Sequence, residues 1–326
     1  MSHNTIGYFL VDRLHVKDAN TVSSPLTYGF PSLSGFLGAV HALSRKISLE
    51  DSVLNGVGVV CFRFEPKVFR EHRYEDYKFV QTRNPLKKKG GEYKAPPIIE
   101  EGRVDLVVSL VIELVVTNPG SRKTYLRLRN EDEKAALCQQ MKKHLYHQRL
   151  CGGSIMKIGQ VEFFNKALAS DINSRLFPGF VLMHAPDELR SIHEQLKDKD
   201  PEATALDALV ETAKIEHVPS EQIGVKSESA SHGRNNEVAW NVKSVKSGRG
   251  WIVPISAGFQ KITRKFDIGE LENSRASNYP SQYVESIYTL GKWVFSTSDL
   301  KIDNCIWRYD YKDFDKGFYV IKQNNE

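Results

Sequence analysis

Apolar and polar side chains alternate with period two along residues 6–17. Leu10, Leu14 and Val16 fall on one face with Asp12, and Val11, Arg13, His15 and Lys17 on the other, which predicts a strand. After a polar turn carrying Pro25, Gly29 and Pro31 the period changes. Leu33, Phe36, Leu37, Val40 and Leu43 recur at i, i+3, i+4, i+7 and i+10, the spacing of a helix buried along one side. Gly35, Gly38, Ala39 and Ala42 are small enough to bring that helix close to a neighbouring backbone, and Pro31 is expected in its first turn. Gly56–Phe64, rich in β-branched residues, predicts a second strand. Val104–Val116 is apolar on both faces and predicts a third, central one.

Between these two strands, residues 66–103 are polar, basic and broken by Pro85, Gly90–Gly91 and Pro96–Pro97, the composition of a protruding hairpin or loop. A second helix is predicted over Asn130–Arg149. Asn130 caps it, Glu131, Asp132 and Glu133 suit its positive end, and Leu137, Met141 and Leu145 form its inner stripe. Cys151-Gly152-Gly153 ends it, and Ser154–Phe164 begins a further strand. The order strand–helix–strand–strand–helix–strand is the ferredoxin-like βαββαβ pattern, so the fold class is α+β. Beyond Pro186 come two polar helical stretches, 187–197 and 201–215, and a segment rich in serine, lysine and asparagine from Pro219 to Gly250, expected to be mobile. Strand character returns over Trp251–Thr263. Pro280–Val294 reads as a helix and Cys305–Lys322 as an aromatic-rich hairpin; Trp293 and Trp307 read as core.

Across 326 residues Lys and Arg number 45 against 40 Asp and Glu, a mild excess that by itself says little about partners. Its distribution says more. Arg83, Lys87, Lys88, Lys89 and Lys94 crowd into the polar loop, preceded by Arg70, His72, Arg73 and Tyr74, while acids gather in 186–216. Clustered cations interleaved with aromatic rings suit an unpaired nucleic-acid strand, and they equally suit a solvated lysine run. Ser23-Ser24, ahead of the first helix, offers hydroxyls and amides for an anion or else a cap and turn. Arg13, His15 and Lys17 form either a ligand-facing row or the ordinary wet face of a strand. Gly152-Gly153 taken alone is a helix C-cap.

The four cysteines are widely spaced, which argues against structural zinc and a disulfide framework and fits a reducing cytoplasm. No signal peptide is expected at the N-terminus, and the run 104–116 is too short to cross a bilayer. Walker, G-x-S-x-G and HD-type motifs are absent from the sequence. His144 and His147, three apart on a helix, and His15 and His41 are candidates for proton transfer, but a surface or satisfied histidine is the plainer reading. No third metal ligand accompanies the helical pair.

Ordered blocks along the chain resemble one known family. They are residues 13–43, TRNPL at 82–86, EEGR at 100–103, LCGGSI at 150–155 and PGFVL at 178–182, then GWIVPI, GFQKI, NSRA and YVESIYTLGKW near the end. The resemblance is to the Cas-five/Csy-two family, the guide-RNA 5′-handle capping subunits of CRISPR type I-F (Csy) surveillance complexes, in the superfamily with modified RRM folds. It implies a core over 1–185 with a basic hairpin at about 66–103, a helical insertion and loop over 186–250, and a C-terminal segment, 251–326, packing on the core. It implies a non-catalytic protein without metal or cofactor, bound to the 5′ handle of the crRNA and to the large and backbone subunits of the complex, with target DNA met indirectly. For the glycine loop it implies close approach of Gly152 and Gly153 to RNA, with Lys157 nearby. Arg275 in NSRA, beside Asn273 and Tyr279, matches a family block without an assigned contact. A repeat-RNA endonuclease of the same superfamily, a filament-forming backbone subunit and a protein scaffold without RNA contact stay open as alternatives.

Overall fold

A computed structural model describes residues 4–47, 49–118, 120–219, 240–274 and 277–323. The chain divides into two compact units, one of Met1–His184, Ile255–Tyr288 and Val294–Glu326, the other of Ala185–Pro254 and Thr289–Trp293. The first unit is α+β around a large antiparallel sheet. Its leading elements are β1 (Thr5–Asn20), α1 (Leu33–Ile47), β2 (Ser52–Pro66) and β3 (Arg103–Val116), followed by α2 (Lys123–Arg129), α3 (Glu131–Tyr146), β4 (Gly153–Lys157) and β5 (Val161–Asn165). Side by side the strands run β4–β1–β3–β2, with β5 also on β1, and every one of these pairings is antiparallel.

The central place of β3 follows from its sequence, since only a strand covered on both faces tolerates such a continuous apolar run. Helix α1 buries Leu33, Phe36, Leu37, Val40 and Leu43 as its spacing requires, and extends the stripe to Ile47. It starts at Leu33, so Pro31 precedes the helix and does not form its first turn. A Cβ on Gly35 would lie 2.8 Å from Cys151 Sγ, so this glycine sets how closely α1 can approach. Asn130 caps α3 as expected, its Oδ1 accepting from the amides of Asp132 and Glu133 at 3.0 and 3.1 Å.

Two local expectations fail here, and one helix goes unannounced. The alternation in β1 breaks at a bulge, where Arg13 takes a φ of 48° and the register against β3 shifts between Val11 and Leu14. Val11, expected on the wet face with Arg13, is therefore fully buried. Helix α3 ends at Tyr146, so Cys151 and Gly152 do not cap it; they form the turn of a tight hairpin joining Arg149–Leu150 to β4. Short α2 has no long apolar stripe to announce it. It is held by the buried carboxylate of Asp51, which accepts from Ser121 Oγ at 2.6 Å and from the amide and hydroxyl of Thr124.

Further along the chain come α4 (Asp171–Leu176), β6 (Phe180–His184), β7 (Trp251–Lys261), β8 (Val284–Phe295), β9 (Trp307–Asp310) and β10 (Phe318–Gln323). The expected helix over Pro280–Val294 is the strand β8. Val284, Ile287, Tyr288, Thr289, Trp293 and Val294 favour an extended backbone and carry no helical stripe. The aromatic hairpin expected over Cys305–Lys322 is present as β9 and β10. β10 pairs with β7, and β9 reaches β2 through Trp307 opposite Val57. Trp307 is wholly buried and donates its indole N–H to Leu182 O at 2.9 Å; Trp293 is buried too. A cluster of Tyr8, Leu10, Val60 and Val111 with Ile172, Leu176, Val181 and Ile306 fastens α4, β6 and the C-terminal chain to the sheet.

One charged pair lies inside this core. Arg308 of β9 donates Nε and Nη2 to the two carboxylate oxygens of Glu113 of β3 at 2.7 and 2.8 Å, and both side chains are almost entirely buried. Thr5 and Asn55 also donate to Glu113. Burial alone would raise the Glu113 pKa, but these donors outweigh it and hold the carboxyl below its ordinary value.

The second unit contains α5 (Pro186–Lys197) and α6 (Ala205–Glu211), the latter opened by a reciprocal cap between Thr204 and Asp207. Arg249 donates to Glu188, Ser191 and Gln195 and so lies along α5. Much of the segment 219–250 expected to be mobile lies outside the described residues.

Candidate nucleic-acid interface

β2 and β3 continue past the edge of the sheet as a long arm. Val68–Phe69 pairs with Lys78–Phe79, Gln81–Arg83 with Ile98–Glu100, and Lys87–Lys89 with Glu92–Lys94. Gly90 and Gly91 form the tip, both with positive φ, as a two-residue turn between twisted strands requires. Almost no side chain on the outer arm is buried.

The register sorts the tip's charge. Lys87 stands opposite Lys94, Lys88 opposite Tyr93 and Lys89 opposite Glu92. With period two, Lys87, Lys89 and Lys94 share a face with Glu92, while Lys88 and Tyr93 take the other, the ammonium 6.0 Å from the ring centre. Among the described residues, none of Arg83, Lys87, Lys88, Lys89 and Lys94 enters an ion pair. Like charges directly opposite each other weaken a strand pair, and an anion held between them reverses the sign. Arg73, exposed in the loop nearer the base, accepts at its carbonyl from Arg70 Nη1 at 2.9 Å, and Arg70 lies over the Tyr77 ring. Glu71, His72 and Glu75 bring their ligand atoms within 4.8 Å of one another there, with Lys78 3.9 Å from Glu71 and 3.8 Å from Glu75.

At the arm's base three distant segments meet. Asn20, the last residue of β1, pairs with Arg103; its amide donates to Cys151 O at 2.9 Å, and the amide of Thr21 donates to Gly102 O at 3.0 Å. Between them opens a cleft of about 300 Å³ lined by Asp18, Asn20, Glu101, Gly102, Arg103, Arg149 and Gly152. The two adjacent glycines differ in role. Gly152 has a φ of +81°, and a Cβ there would meet only Asn20 Cβ at 3.9 Å, whereas a Cβ on Gly153 would come within 2.8 Å of Ala19 N and Lys17 O. Gly152 presents backbone to the cleft; Gly153 lets β4 close on β1.

Ser23 and Ser24 sit beside this base but not at a helix start, since α1 begins nine positions after Ser24. Their amides both donate to Thr27 O, at 3.1 and 3.2 Å, and Ser24 Oγ accepts from the Thr27 amide at 3.0 Å. The hydroxyls of both serines also bond Thr27 Oγ1. They build a turn, and that turn braces the arm through Tyr28, whose ring meets Phe79 edge-on at 5.7 Å.

On the sheet, His15 stands directly across from Lys157, with Lys17 opposite Ser154. Lys17 and Lys157 are exposed and in no ion pair among the described residues. Arg13 differs. Its guanidinium lies 3.5 Å over the Phe62 ring and donates to Phe177 O, while Ser109 Oγ accepts from its amide and donates to Asp12. Lys67, at the arm's root, pairs with Asp18 and Asp105; the bond to Asp18 is the main cause that raises its pKa. Arg275 lies outside the described residues.

The structure thus gathers Ser23, Ser24, Gly152, Gly153 and the root of the arm at one end of the sheet, with His15 and Lys157 on neighbouring strands. Arg83 and the lysines are carried outward on the arm itself. Sequence reasoning passed over Arg149, Arg103 and Asn20, which line the cleft; the position of Arg149 just before the Cys-Gly-Gly turn was the available signal. His144 and His147 belong to no cluster of ligating side chains among the described residues. Burial pushes the thiol of Cys61 up to about 12, that of Cys138 to about 11 and that of Cys305 to about 12, so these sulfurs stay protonated at neutral pH. Among the described residues no helix is long and apolar enough to cross a membrane.

Comparison with known proteins is consistent along the whole length. The family model for the CRISPR-associated protein Cas_Csy2 matches residues 9–321. The CRISPR-associated protein Csy2 of Pseudomonas aeruginosa (strain UCBPP-PA14) is 32% identical over 326 residues, covering 95% of this chain and 93% of the relative.

Proposed function

This chain belongs to the Csy2 family of CRISPR-associated proteins, and from that premise we propose that it is a non-catalytic RNA-binding subunit of a type I-F surveillance complex, capping the 5′ handle of the crRNA. Its partners in this reading are that handle and the large and backbone subunits; target DNA is met through the large subunit, in the cytoplasm. The arm's unpaired cations, projecting from the same end of the sheet as the open turn at Gly152, are the observation that carries it.

The physics runs in three steps. Lys87, Lys88, Lys89, Lys94 and Arg83 neutralise phosphates and release their counterions. The arm, having no core of its own, closes over the strand, and the exposed backbone at Gly152 with Lys157 and His15 fixes its path. A bent single strand exposes base edges and faces that a duplex hides, and these give specificity for the handle. Arg13 contributes by holding β1 at its bulge against Phe62, and Ser23, Ser24 and Gly153 by bracing the base. Arg73 adds charge beside the track. The order β4–β1–β3–β2, built from an element series β1-α1-β2-β3-α3-β4, supports an RRM-like core for this unit.

The test is purification of the chain with its co-expressed complex and guide, wild type against a variant with Lys87, Lys88, Lys89 and Lys94 changed to Ala. Reduced guide RNA per complex, with a normal melting curve, is the expected result. Unchanged guide occupancy and an unchanged salt dependence would overturn the reading.

A further inference from the structure

A second cleft, of about 800 Å³, opens in the first unit, among β7, β8, β10 and the loops beside them. None of its lining residues belongs to the arm or to the cleft at the arm's base. Three cations line it, Lys261, Arg264 and Lys265, with Asp315 as the opposing charge.

The cations are built into place. Gly317 has a φ of +92°, and a Cβ there would overlap the stem of Lys261, so the glycine leaves the lysine room to cross the cleft wall. Arg264 donates both guanidinium ends to Glu270 and stacks 4.6 Å over the Phe266 ring. Neither Lys261 nor Lys265 enters an ion pair among the described residues. Phe314 and Phe318, 55% and 40% exposed, line the same cleft, so two rings are reachable from it. Tyr319 anchors this wall, its ring 4.6 Å from Tyr309.

We propose that this cleft is a second nucleic-acid site, holding unpaired nucleotides with phosphates on Lys261 and Lys265 and a base against Phe318. Positive charge beside accessible ring faces fits a single strand, whereas a duplex buries its base faces and would leave the rings idle. Guide RNA and a displaced DNA strand offer the same chemistry, so both are probed. The inference does not rest on the arm, and its failure leaves the arm reading standing.

The experiment uses the full chain in its purified complex with fluorescein-labelled, 5-iodouracil-substituted U10 and dT10. Illumination should crosslink the oligonucleotide to the peptide around Phe314–Tyr319. K261E/K265E should weaken binding at least tenfold and lower the salt slope by about 1.4, the share of two single-strand phosphate contacts. F318A, which keeps every charge, should cost about tenfold through lost stacking. Preference for U10 assigns the site to RNA and preference for dT10 to a DNA strand. Loss in the lysine variant with none in F318A would mean unspecific surface attraction and overturn the site, as would crosslinks that all fall elsewhere.

Discussion

The strands β2 and β3 handle charge in opposite ways at their two ends. Near one end Glu113 of β3 is sealed inside the sheet and met by four donors from Arg308, Thr5 and Asn55. Past the other, the same two strands carry Lys87, Lys88, Lys89 and Lys94 into solvent with no partner acid beyond Glu92 across the turn. A buried charge must be fully paired or the fold loses several kcal/mol. An exposed cation needs no partner and gains little from one. Charge answered within the chain therefore holds the fold, and charge left unanswered is available to a ligand.

The contrast is broken most forcefully at Arg308. Arg308→Ala leaves Glu113 buried without its counter-charge and should cost about 3–5 kcal/mol in urea unfolding, whereas replacing both partners with Leu should cost far less. The pH behaviour should invert as well. Since Glu113 is held below its ordinary pKa, its contribution in the wild type is present above the usual carboxylate range and is lost as the pH falls through the lowered folded value. In Arg308→Ala burial dominates, and acidification should narrow the deficit against wild type.

A second pair of tests separates the adjacent glycines. Gly153→Ala drives a methyl into the β1 backbone and should cost about 1–3 kcal/mol in thermal or urea melts. Gly152→Ala makes no clash, only an ordinary contact with Asn20, and pays its left-handed backbone penalty of about 1 kcal/mol, while altering RNA retention more than stability.

Asp51 sharpens the comparison from the fold side. Burial opposes its charge, but bonds from Ser121, Thr124 and Ser52 hold its pKa down to about 2. The stability it supplies is complete above about pH 4, the ordinary aspartate value, and fades toward pH 2. Asp51→Ala should remove that acid-side slope, loosen α2 and cost about 1–3 kcal/mol. The smallest effect on stability belongs to the arm. Replacing Lys87, Lys88, Lys89 and Lys94 with Ala should leave unfolding within about 0.5 kcal/mol of wild type, yet reduce the salt slope of single-strand RNA binding by about 3.

These two kinds of charge were not equally legible in the sequence. The arm was visible because its cations, prolines and glycines are contiguous, and α1, β3 and α3 were visible because their periods are local. The pairing of Glu113 with Arg308 spans 195 positions and leaves no local trace. Period counting also missed the bulge at Arg13, whose backbone is fixed by Ser109 on another strand. Ser23-Ser24 reads equally as an anion site or as a cap and turn; the chain turns back at Thr27 and consumes both amides, which is the turn. Gly152 and Gly153 read identically in the sequence and part only when β1 packs against one of them. β8 was mistaken for a helix where its β-branched and aromatic content was the better signal.

The most direct measurement is ultraviolet crosslinking and mass spectrometry of the native complex with its own guide. Adducts should concentrate on the arm between Arg83 and Lys94 and on the hairpin from Arg149 to Lys157, and should map to the handle. Adducts absent from both segments, on a complex that retains its guide, would contradict the claim that the unanswered charge of the arm holds RNA.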